Sequence, residues 1–168
     1  MSEARPDRSA SATATDPVYA EAWQALRGAH QLLVDRVGRE LGEAGLPELS
    51  WHDVLARLDE SELPLRPRDL LCHVAVTKSG LTRLLDRIES AGLLERRSCP
   101  SDRRGTFLAI TDAGRETLTA MRPIRDGVFE QHFEGVLSRD DAAHLADSLG
   151  RVGAGVRGEL EAEGACEL

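Results

Sequence analysis

The stretch Arg96–Gly105, RRSCPSDRRG, sets four arginines around a small polar loop. A guanidinium presents a planar fork of donors that matches phosphate and guanine edges two bonds at a time, so such a cluster points to contact with a polyanion. Upstream, Lys78, Arg83 and Arg87 stand among Thr77, Ser79, Gly80 and Thr82, whose hydroxyls and backbone N–H groups also suit phosphate. Between Arg66 and Arg104 lie nine positive and five negative side chains, a net +4 in a chain of formal charge −8, which leaves −12 on the remainder. Local field decides where a polyanion gathers, and the acidic remainder turns it away from other faces. Lys78 is the only lysine; every other basic side chain is an arginine.

Other chemistries find less support. Cys72, Cys99 and Cys166 are too few and too scattered for a disulfide framework or a paired-cysteine zinc site. The five histidines form no i, i+4 pair, so neither a metal nor another cofactor is expected. Cys72-His73 is the best case for a nucleophile and its base, but adjacent helical residues do not face each other. No Gly-rich phosphate loop or nucleophile elbow appears, and catalysis is not expected. Cys99, inside the arginine loop, is open to oxidation and keeps a redox-responsive reading in view beside a metal-responsive one. Trp23 and His30, with Trp51, His52 and Asp53, bring scarce aromatic and polar groups together as a candidate small-molecule site. The plainer alternative is that Trp23 fills a dimer core and Asp53 completes a helix cap.

The positioning elements follow from periodicity. The chain has 168 residues, 41% hydrophobic, 30% charged and only 4% aromatic, which suits an aliphatic helical core. Its polar start, MSEARPDRSASATATD, has no secretory character, and no apolar run is long enough to span a bilayer; a cytoplasmic protein is expected. Residues 1–16 read as a disordered tail. Tyr19, Trp23, Leu26, His30, Leu33, Val37 and Leu41 form one stripe of a long helix within 17–48, stopped by Gly45 and Pro47. Ser50 with Asp53 resembles a capping box, and a short helix is expected from about Arg66 to His73. After a turn at Ala75-Val76, Thr77 is a natural N-cap for a helix with Leu81, Leu84, Leu85 and Ile88 on its apolar face, closed by Ala91-Gly92. LLERRS and TFLAIT read as strands joined by CPSDRRG, with Pro100 and Gly105 as turn residues. Arg96 and Arg97 then point to opposite faces. Thr111 opens a further helix that Pro123 should kink or break, and Ser138 with Asp141 opens the last. Residues 49–111 form one lobe, 112–160 the C-terminal helices and 161–168 a flexible tail. Long terminal helices with apolar stripes call for a second copy, hence a homodimer.

A short helix, a tight turn and a second helix crowded with polar groups at its start is a helix-turn-helix layout. The run VTKSGLTRLLDRIESAGLLERRSCPSDRRGTFLAITDAGRE resembles the core of MarR-family transcriptional regulators, and the likeness extends over roughly Pro17–Arg157. The resemblance implies a mainly α fold, a winged helix-turn-helix with a small β-hairpin wing and long N- and C-terminal dimerisation helices. It further implies a homodimer on a pseudo-palindromic double-stranded DNA operator, a repressor relieved by a small-molecule effector, and no membrane partner. On it, Thr77, Lys78, Ser79, Gly80, Thr82 and Arg83 meet the major groove, while Arg104, with Arg103 beside it and Asp102 as brace, reaches the minor groove. Arg87 either touches phosphate or pairs with an acid on its own helix. Trp23, Asp53 and Arg83 resemble the set that some family members use for aromatic or urate-like ligands. A winged helix used only for protein–protein contact is the alternative from another class.

Overall fold

The computed structural model describes residues 16–61, 63, 65–71, 74, 76–99 and 102–162, with backbone alone at 98, 99, 102–105, 157 and 160–162. In order come α1 (Pro17–Glu43), α2 (Leu49–Glu60), a 3-10 turn (Pro67–Leu70), α3 (Lys78–Ser90), β1 (Leu94–Cys99), β2 (Asp102–Ile110), α4 (Asp112–Phe129), a π-helical turn (Glu130–Glu134) and α5 (Arg139–Ala162). The mainly α fold with a two-stranded antiparallel wing is the class expected from the sequence. Among the described residues no helix is long and apolar enough to cross a membrane. The described chain divides into two compact units, one ending at Leu32 and the other beginning at Leu33. In the first, α1 leaves Val18, Tyr19, Trp23 and Leu32 exposed.

The second unit is built on two apolar clusters. Val54, Leu55 and Leu58 of α2, Leu81, Leu84, Leu85 and Ile88 of α3, Leu94, Leu108 and Ile110 of the wing and Leu118 of α4 close the main core. Met121 and Val128 of α4 pack with Val37 and Leu41 of α1 in a smaller one. Because α4 contributes to both, it ties them together. Polar contacts add to this seam: Asp59 of α2 pairs with Arg122 (3.0 Å) and Arg115 (3.4 Å) of α4.

Helix ends α1 and α3 use the same stop. Gly45 (φ 69) and Gly92 (φ 75) adopt the left-handed conformation that only glycine takes without a Cβ penalty. Each is followed by a six-to-one bond, Leu46 N–H to Leu41 O at 2.9 Å and Leu93 N–H to Ile88 O at 3.1 Å, so orphan helix carbonyls are satisfied. Thr111, the expected cap of α4, accepts from Gly114 N–H (3.0 Å) and donates to Gly92 O (2.7 Å), while its own N–H reaches Leu93 O (3.1 Å). The end of α3, the base of the wing and the start of α4 thus meet at one node. Ser138 caps α5 as expected, accepting from Asp141 N–H at 3.1 Å.

Four expectations need correction. Ser50 does not cap α2: the helix begins at Leu49 with Glu48 as cap residue and no side-chain cap bond, because Trp51 N–H already closes on Glu48 O at 2.9 Å. Asp53 turns instead to His52 Nδ1, at 3.3 Å. Pro123 does not break α4, which runs through it. The carbonyl it frees belongs to exposed Thr119, where water can satisfy it. The short helix expected at Arg66–His73 is a 3-10 turn over Pro67–Leu70, and His73 lies outside the described residues. Gly105 is a β2 residue rather than a turn residue, since β2 starts at Asp102 with a register shift beside Cys99; Pro100 lies outside the described residues.

Candidate nucleic-acid interface

Helix α3 is amphipathic, and its two faces do different work. Leu81, Leu84, Leu85 and Ile88 are buried, which leaves Lys78, Ser79, Thr82, Arg83 and Arg87 exposed on the far side. The Thr77 hydroxyl accepts from Gly80 N–H at 3.1 Å and lies 3.3 Å from Ser79 Oγ, so the first turn is capped and its hydroxyls cluster at the helix N-terminus. Thr82 Oγ1 donates back to Lys78 O at 3.3 Å. A Cβ on Gly80 would stand 3.1 Å from Thr77 Oγ1, tight enough to press on the cap. Before the helix, Val76 N–H donates to Val74 O at 2.7 Å; Ala75, the other half of the expected turn, lies outside the described residues.

Ion pairing separates the basic residues. Arg87 pairs with Glu48 (3.0 Å) and stacks over the Trp51 ring at 5.5 Å, so its acid is the cap residue ahead of α2 and not one on its own helix. Arg96 Nη2 meets Asp86 at 2.8 Å and Nη1 binds Glu89. Arg97, on the opposite face of β1, pairs with Glu95. Among the described residues Lys78 and Arg83 have no acidic partner. A cation without a carboxylate on an exposed helix face keeps its full field for an outside anion. Glu48, Asp86 and Glu89 escaped the reading from sequence, although two acids on a helix expected to meet phosphate were a signal that something must neutralise them.

The wing pairs Leu94 with Ile110 through Ser98 with Thr106, and Leu65 adds a bridge, accepting from Leu108 N–H at 2.8 Å. Arg66 lies over the Phe107 ring at 5.2 Å. The backbone carries Asp102, Arg103 and Arg104 on β2 near the tip, while their side chains, like that of Cys99, lie outside the described residues.

The candidate effector residues belong to both compact units. Trp23 and His30 border one shallow depression on α1 with Arg27 between them. Trp51 is half-buried against the main core, and His52 is buried, with Asp53 at Nδ1 (3.3 Å) and Arg125 Nη1 at Nε2 (3.4 Å). Arg125 also lies over the Phe129 ring, at 5.3 Å. Among the described residues no group of three or more metal-binding side chains gathers. Cys72 and His73 lie outside the described residues.

A family model described as MarR family matches residues 44–105, from the end of α1 to the wing. The chain is 25% identical over 99 residues to the transcriptional repressor MprA of Escherichia coli, a match covering 59% of this chain and 56% of that one, so it spans little more than half of that relative. It is 32% identical over 129 residues to the HTH-type transcriptional regulator PecS of Dickeya dadantii, covering 72% of this chain and 74% of PecS. Its fold is similar to that of Sco3205, a MarR-family regulator from Streptomyces coelicolor solved in complex with DNA. There the TM-score is 0.73 and the identity 30%, over 81% of this chain and 86% of that one. A capped polar helix, a hairpin wing behind it and a likeness to PecS that runs well beyond both lead to one assignment: the chain belongs to the MarR family of transcriptional regulators.

Proposed function

We propose that this protein is a sequence-specific double-stranded DNA-binding regulator that acts as a homodimeric repressor in the cytoplasm, with no catalytic role. The observation that carries the reading is the exposed face of α3, where a capped N-terminus stands together with Lys78 and Arg83, cations that have no acidic partner among the described residues. Helix N-terminal amides and Thr77 suit a phosphate, and Lys78, Ser79, Thr82 and Arg83 suit base edges in the major groove. Arg103 and Arg104 on the wing take the minor groove with Asp102 as their brace. Arg87 reaches a phosphate only by leaving Glu48. The dimer is supported by α5, whose Leu145, Leu149, Val152 and Val156 recur at helical spacing and stay exposed in the single chain.

A small-molecule effector belongs to the same reading. Trp51, His52 and Asp53 open α2 beside the Arg87 contact to α3 and the Arg125 contact to α4, so a ligand there bears on the elements that hold the reading helix. Fluorescence anisotropy with a labelled fragment from upstream of the protein's own gene tests the central claim. Affinity at least ~10³-fold above that for a shuffled fragment is expected at physiological salt. Equal affinity for both fragments would refute it in favour of a winged-helix protein-interaction module.

A further inference from the structure

Helix α3 carries two carboxylates, Asp86 and Glu89, in the half that leads to the wing. On a helix proposed to lie against a polyanion they are out of place unless something uses them. Arg96 does, from the other element of the interface. Its guanidinium spans both, Nη2 on Asp86 (2.8 Å) and Nη1 on Glu89, and its backbone N–H also donates to Glu89 Oε1 at 3.3 Å. The Arg96 side chain is only 29% exposed, against 66% for Arg97 next to it. Opposite Arg96 on β2 is buried Leu108, so the contact sits at the root of the wing and not at its tip.

We propose that Arg96 is a positioning residue that clamps the wing to the reading helix, fixing the angle at which both enter their grooves. The proposal rests on the DNA-binding reading above but makes a different claim: Arg96 acts through Asp86 and Glu89 and not by touching DNA. Two contact elements held at the right separation bind as one, because the second engagement is intramolecular; when the joint is loose, that advantage falls. Three polar contacts converge on one guanidinium and its amide, a geometry a single exposed pair does not reach.

The clamp has a signature that simple electrostatics reverses. Removing acids from a DNA-facing helix should strengthen binding by Coulomb reasoning alone, whereas a clamp predicts weaker binding. The test uses the full-length protein and a duplex enriched from a random-sequence pool by the wild type. Arg96→Gln and the double variant Asp86→Asn/Glu89→Gln should each lower affinity about tenfold, and the triple variant should fall no further than either. Arg96→Lys, which can reach one acid, should lie between. The slope of log affinity against log salt should stay at the wild-type value in Arg96→Gln. Tighter binding by the acid-free variant, or a salt slope smaller by about one phosphate contact in Arg96→Gln, would overturn the proposal.

Hydrogen exchange of β1 without DNA separates this claim from the functional reading. Amides of residues 94–99 should exchange faster in both Arg96→Gln and Asp86→Asn/Glu89→Gln, and unchanged exchange overturns the clamp even if the wild type enriches no duplex. Absence of any enriched duplex would sink the DNA-binding reading alone.

Discussion

Gly114→Ala puts the node joining α3, the wing and α4 to a direct test. A Cβ built at Gly114 falls 2.1 Å from Leu93 O, 2.8 Å from Ile110 Cγ1 and 3.1 Å from Leu93 C. A carbon–oxygen contact settles near ~3.3 Å, so the methyl needs roughly 1.2 Å of movement from a backbone carbonyl that cannot rotate away. That carbonyl accepts the Thr111 N–H, and Thr111 in turn caps α4. Overpacking of this kind costs about 1–3 kcal/mol, and a weakened cap adds about 1 kcal/mol. Against these stands a helix-propensity gain of about 1 kcal/mol. The balance is destabilisation of about 2 kcal/mol, a fall in Tm of roughly 4–8 °C for a chain of this size. Gly127→Ala, in the same helix, is the matched control: nothing lies within 4 Å of its added Cβ, and only the propensity gain applies. Urea unfolding at one fixed protein concentration, so that association does not shift the midpoint, should move the two variants in opposite directions. A Gly114→Ala protein as stable as Gly127→Ala would refute the steric reasoning.

Three further outcomes are expected. Thr77→Ala should lose about 1 kcal/mol of stability with the cap and weaken operator binding, while Thr77→Ser should retain both, as unfolding and anisotropy would show. Arg83→Ala should erode preference for the operator over shuffled DNA by about 1–3 kcal/mol, whereas Arg104→Ala should lower affinity for both and reduce the salt slope by about one contact; identical profiles would undo that division of roles. Val152→Glu/Val156→Glu, which charges the exposed face of α5, should convert a dimer to monomer in sedimentation at micromolar concentration, and an undisturbed dimer would move the interface elsewhere.

Whatever depends on neighbours in the chain was legible in the residues. Thr77, Thr111 and Ser138 cap helices because a hydroxyl three residues before a free N–H needs only local geometry, and Gly92 ends α3 for an equally local reason. The same logic misled at Ser50 and Asp53, whose spacing imitates a capping box, because the chain had already turned at Glu48. Of the two outcomes expected at Pro123, a kink or a break, the break does not occur, because the proline's cost depends on whether the freed carbonyl reaches water, which is a matter of burial and not of sequence. Of the candidate interface, the amphipathic face of α3 was readable from spacing alone. Its ion pairs were not. Arg87 and Glu48 are 39 positions apart, and Arg96 finds its acids seven and ten positions back across a helix end, so only the folded chain shows which cations are already occupied.

The scarcity of lysine acquires a practical meaning once Lys78 is seen exposed as the first residue of α3. Amine-directed reagents find a single lysine side chain in this sequence, and it lies on the face proposed to meet DNA. Acylation there removes one positive charge and attaches a reporter at the helix N-terminus, without engineering any residue. One ordinary labelling reaction thereby becomes a footprint of that face, with protection by bound duplex as its readout.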